Sequence, residues 1–165
     1  MSDKQATMDA LQAIVTGLSA NSFGHRIQSK IFSGLWFQSL GDKYAAHATE
    51  EMDFVEQFMD RILDLGGEIK QEAQEAKPIY TDIIEFIEAD YQVSVEGIAF
   101  LNDLMDSGIF DNTTYDLMKV YLKGVCPKSE YWSGLYFFNM FLWFWRGSKC
   151  IENNEKHLWW ARNSH

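Results

Sequence analysis

Cysteine is scarce in this chain: Cys126 and Cys150 are the only two in 165 residues, so neither a disulfide framework nor a cysteine-rich zinc site can be built from it alone. Proline is nearly absent as well, with only Pro78 and Pro127, which leaves long helices uninterrupted. Basic residues are few, 14 against 24 acidic, for a net charge of −10. Such a surface repels phosphate backbones and anionic lipid heads, which argues against nucleic-acid binding and makes cations the natural small partners. The opening MSDKQATMDALQ has neither the basic start nor the apolar run of a signal peptide, so a cytoplasmic protein is expected. There is no glycine-rich phosphate loop and no strand pattern to hold one. Neither cysteine, nor any of His25, His47, His157 and His165, sits in a nucleophile motif. The longest aromatic uncharged run, Tyr131 to Trp145, has 15 residues, short of the roughly 20 that a straight membrane-spanning helix needs.

What is present is apolar material at helical spacing. With 47% hydrophobic residues, the chain has enough for one core, and its length suits one domain. The chemistry changes near residue 123. Residues 1–123 carry 9 basic and 21 acidic side chains, whereas 124–165 carry 5 and 3 and hold 11 of the 25 aromatics. A division into a helical domain, 1–123, and an aromatic-rich C-terminal segment, 124–165, is expected. That segment is read as bundle completion or a subunit-interface helix in preference to membrane-surface attachment.

Apolar spacings of three and four predict an all-α fold. A first helix is expected over 5–40, with Leu11, Val15, Leu18, Ser22, His25, Ser29, Phe32 and Trp36 along one side and Gly41-Asp42 ending it. A second is expected over 43–65, closed by Leu65-Gly66-Gly67. After a polar connection containing Pro78, a third begins near Thr81 with Ile84, Ile87, Tyr91, Ser94, Ile98, Leu101 and Met105 as its inward stripe. A fourth is expected over 113–123, broken by Gly124 and Pro127.

On the second helix, His47, Ala48, Phe54, Val55, Phe58, Ile62 and Leu65 lie within about 60° of Glu51, at about 100° per residue, so a carboxylate stands in the middle of an apolar face. An unpaired buried carboxylate costs several kcal/mol. Glu51 is therefore protonated, bound to a metal, or hydrogen-bonded to His25 or His47, unless that face is wet. Glu51, with His47 and Glu50 beside it, makes the candidate metal-ligand set.

The stretch HATEEMDFVEQFMDRILDLGG, 47–67, resembles the second helix of ferritins and especially bacterioferritins. FGHRIQSKIF (23–32) and DYQVSVEGIAFL (90–101) extend the likeness to about Lys123. The resemblance implies a ferritin-like antiparallel four-helix bundle with a long crossover that assembles into a hollow shell, of one chain or mixed with a sister subunit. It also implies oxidation of Fe(II) at a di-iron site inside each bundle and storage of the mineral. Carried over by position, Glu51 matches the bridging glutamate of the second helix. The histidine implied three residues later is Phe54, and the glutamates implied on the first and third helices fall at Leu18 and Ser94. The fourth-helix pair falls on 124–128, which has no carboxylate. An iron-storage subunit with an impaired ferroxidase site is thus expected. Met52 stands where some bacterioferritins bind haem b between two subunits. The rival reading is a non-catalytic helical scaffold that uses its aromatic ending to contact a partner or a membrane.

Overall fold

In a computed structural model of the chain, residues 3–74 and 76–124 are described, and the aromatic C-terminal segment lies outside them. Three long helices are α1 (Lys4–Gly34), α2 (Gln38–Asp64) and α3 (Ile83–Asp106), and a fourth, α4, runs over 112–124. Among the described residues there is no strand, and no helix is long and apolar enough to cross a membrane. The all-α reading therefore holds.

Three of the four helix starts carry a side-chain cap, and α2, entered from the turn at Phe37, does not. Asp3 caps α1, accepting from the backbone N–H groups of Gln5 and Ala6, and Asp82 caps α3 in the same way. Asp111 caps α4, its carboxylate accepting the Thr114 N–H at 2.8 Å. That bond, opposed by burial but aided by the Thr114 hydroxyl and the Arg61 guanidinium, holds the Asp111 pKa below the ordinary carboxylate value.

The first boundary differs from expectation. α1 stops at Gly34, and a three-residue turn leads straight into α2. The closing hydrogen bonds run from Phe37 N–H to Phe32 C=O at 2.9 Å and from Trp36 N–H to Ser33 C=O at 3.2 Å, the pattern of a Schellman motif. Its left-handed position is held by Trp36, at φ +69°, rather than by glycine. α2 closes by the same two bonds, Gly67 to Ile62 and Gly66 to Leu63, with Gly66 at φ +76°. Gly41 does not end a helix. It lies inside α2 where α1 approaches so closely that an added Cβ would stand 2.8 Å from the Ser29 carbonyl oxygen. Trp36, expected to face inward, is 95% exposed because the chain has already turned, whereas Leu11 through Phe32 of the same stripe are buried.

Contacts across the bundle fix its topology. Ser22 donates to the Ala48 carbonyl at 2.7 Å, so α1 and α2 run antiparallel. Phe32 packs on Phe86 while Thr7 donates to the Ile109 carbonyl, so α3 is antiparallel to α1 and parallel to α2. Two parallel neighbours in sequence need a crossover the length of the bundle, and residues 66–82 supply it. Two buried glutamines of α1 pin that crossover. Gln12 donates to Lys70 C=O and accepts from its N–H, both at 2.9 Å, and Gln28 does the same with Tyr80. Along α4, Arg61 donates to Asp111 and Thr114 at one end and Phe54 meets Tyr121 at the other.

The interior has three layers. The main apolar cluster draws on all four helices, including Leu11, Leu18, Val55, Phe58, Leu101 and Met118. A smaller one joins Phe32, Tyr44 and Phe86 near the α1–α2 turn. Between them lies a polar layer.

Candidate metal centre

His25, on α1, is the hub of this layer. Its Nδ1 lies 2.7 Å from a carboxylate oxygen of Glu51 on α2, and its Nε2 lies 2.8 Å from Asp90 Oδ1 on α3. The Tyr44 hydroxyl donates to the other oxygen of Asp90 at 3.0 Å. Glu51, His25 and Asp90 are 7%, 8% and 8% exposed. Each comes from a different helix, so the cluster exists only once all three have docked.

Its electrostatics follow from that burial. Desolvation alone would lower the His25 pKa, but hydrogen bonds to Asp90 and Glu51, reinforced by their charges, outweigh it and raise the value to about 10. The ring is therefore an imidazolium at neutral pH, donating from both nitrogens. Burial, then the Asp90 charge, pushes the Tyr44 hydroxyl up, so it stays a donor; burial, then Glu51, does the same to Tyr121. Asp90 thus accepts from two sides, and a proton on His25 offsets part of the charge that Glu51 and Asp90 bring inside.

His47 stands one turn before Glu51 on α2, its Nε2 3.6 Å from Glu51 Oε1 and its ring 5.0 Å from that of His25 between centroids. One ligand atom from each of His25, His47 and Glu51 falls within 4.8 Å of the others. Of the three residues expected from sequence, Glu51 and His47 come together. Glu50 points outward, its side chain 54% exposed and 3.9 Å from His47.

The positions at which the resemblance implied further ligands are filled differently. Leu18 is buried in the main apolar cluster. Phe54 is half-buried and packs edge-on against Tyr121 at 4.9 Å between centroids. Ser94 is half-buried on α3. The fourth-helix positions beyond 124 lie outside the described residues. Met52 is half-buried and packs against the main apolar cluster.

The sequence reading missed Asp90 and Tyr44. It placed Tyr91 on the inward stripe of α3, whereas Tyr91 and Ile84 are exposed and Phe86, Ile87 and Asp90 are buried. Ile87, Asp90, Ser94, Ile98 and Leu101 also repeat at spacings of three and four, sharing four positions with the stripe that contains Tyr91. The signal was present, and the aromatic residue concealed it.

A family model for the ferritin-like domain matches residues 8–134. The bacterial ferritins of Neisseria meningitidis serogroup B and Neisseria gonorrhoeae are each 29% identical over 138 residues, covering 80% of this chain and 86% of the relative. A third, from Neisseria meningitidis serogroup A, is 28% identical over the same length.

Proposed function

This chain belongs to the ferritin family, and from that premise we propose that it is an iron-storage subunit whose own bundle does not oxidise iron at a paired-metal site. Iron is its cargo. On this reading the chain contributes to a shell, with copies of itself or with a sister subunit that carries the intact ligands. Relatives named bacterial ferritin over 80% of the chain support the iron-storage class.

The observation that carries the ferroxidase part is His25 seated between Glu51 and Asp90. A pair of iron ions needs several carboxylates and imidazoles converging on one cavity. Here a proton on His25 offsets buried carboxylate charge, while Leu18 and Phe54 place hydrocarbon where donors would be required. One bridging carboxylate without those partners does not hold two metals in that geometry. Haem forms no part of this proposal.

Mixing anaerobic Fe(II) with the protein in aerated buffer tests this. Oxidation should run little faster than in protein-free buffer. Rapid oxidation that saturates at two irons per chain and disappears in Glu51→Ala would overturn the proposal.

A further inference from the structure

We propose that His25, His47 and Glu51 form a site for a single divalent ion of the zinc or ferrous class, in which Glu51 works with the histidine one helical turn before it instead of the one implied at position 54, which is Phe54. The inference rests on the reading of this bundle as one without paired iron.

The donor set selects the ion. Two imidazoles and one carboxylate suit borderline first-row cations, whereas calcium and magnesium seek six or more oxygens. The spacing also suits it. Metal–nitrogen and metal–oxygen bonds of about 2.0–2.2 Å imply ligand–ligand edges of about 3.3–3.5 Å in a tetrahedral site. His47 Nε2 to Glu51 Oε1 is 3.6 Å, and His25 Nδ1 to Glu51 Oε2 is 2.7 Å. The two distances end on different oxygens of the Glu51 carboxylate, and one ligand atom from each of the three residues lies within 4.8 Å of the others, so an ion that replaces the proton needs the side chains to close in by about 1 Å. His47 and Glu51 are four residues apart on one face of α2, and α1 fixes His25 opposite.

The outer support is in place as well. A metal-bound histidine donates its remaining ring N–H to a carboxylate, which fixes its tautomer and orientation. His25 has this arrangement: with Nδ1 turned toward Glu51 and His47, Nε2 donates to Asp90, itself anchored by the Tyr44 hydroxyl. Asp90 is thus a positioning residue for the ion. A cavity of about 880 Å³ between α1, the crossover and α3 has His25 and Asp90 on its wall, so the supporting side of the site borders open space.

The test uses the full chain, stripped with a chelator and dialysed against Zn(II) or Co(II), ions that are not oxidised under these conditions. One ion should bind per chain, and Co(II) should show the visible absorption of a four- or five-coordinate site with histidine ligands. His47→Ala and Glu51→Gln should each abolish that spectrum, Asp90→Asn should weaken binding about 10- to 100-fold, and Glu50→Gln should change nothing. The His47 side chain is 16% exposed, and circular dichroism would verify that its variant keeps the fold. Absence of stoichiometric uptake, or uptake unchanged by both His47→Ala and Glu51→Gln, would refute the site. Neither result bears on Fe(II) oxidation, so this inference and the ferroxidase reading fail separately.

Discussion

The main apolar cluster around Phe58 and the polar layer around His25 lie in one interior but are held by different forces. Phe58, Val55, Ile62, Leu11 and Met118 are shielded from water and need only complementary shape; each large side chain contributes about 1.5–3 kcal/mol by burial. Glu51, His25, Asp90 and Tyr44 are equally buried, but each depends on partners from other helices. The apolar cluster tolerates local repacking and ignores pH. The polar layer tolerates little substitution, because removing one member leaves a charge or a donor stranded.

The largest effects should come from removing the centre of each region. Phe58→Ala should cost about 3–5 kcal/mol through the cavity it leaves, and His25→Ala a similar amount by leaving Glu51 and Asp90 without their shared cation. Urea unfolding across a pH series separates them. The cost of Phe58→Ala should stay constant, whereas that of His25→Ala should shrink in alkali; parallel behaviour would erase the distinction.

That alkaline dependence is the second prediction. The folded-state pKa of His25, about 10, lies above the ordinary 6.5. Its contribution is therefore full below pH 6.5, declines as the pH climbs, and is lost above about 10. The interval corresponds to roughly 3–5 kcal/mol, and His25→Gln should remove it. A wild-type stability that stays flat over this range would show that His25 is not the cation of the layer.

A smaller effect should follow from Tyr44→Phe, which deletes the hydroxyl donor to Asp90 and leaves the ring packed between Phe32 and Phe86. The expected loss is about 1–2 kcal/mol, and the metal-free protein should keep its helix content. A loss near that of His25→Ala would mean that the tyrosine, rather than the histidine, organises the layer.

The two regions were also unequally legible in the sequence. The apolar stripe of α1 from Leu11 to Phe32 could be read from spacing alone, because burial of hydrocarbon repeats with the helix. Gly66 announced the end of α2 for another local reason, glycine's ease in the left-handed conformation. Trp36 did not announce the end of α1: it occupies the left-handed position at a cost of about 1–2 kcal/mol relative to glycine, and no propensity marks it. Gly41, the nearby glycine, serves close packing instead. In the polar layer, Glu51 stood out as a carboxylate on an apolar face, and both histidines beside it could be named. Asp90 and Tyr44 could not, since their burial depends on the rotation of α3 and the crossing of three helices.

The state of His25 in the metal-free protein tests the central claim most directly. Nitrogen-15 NMR near pH 8, between the ordinary value of 6.5 and about 10, with the signal assigned by its loss in His25→Gln, reports both ring nitrogens. The account predicts that both carry a proton, as in an imidazolium shared by two carboxylates. A neutral ring with one bare nitrogen at that pH would contradict it.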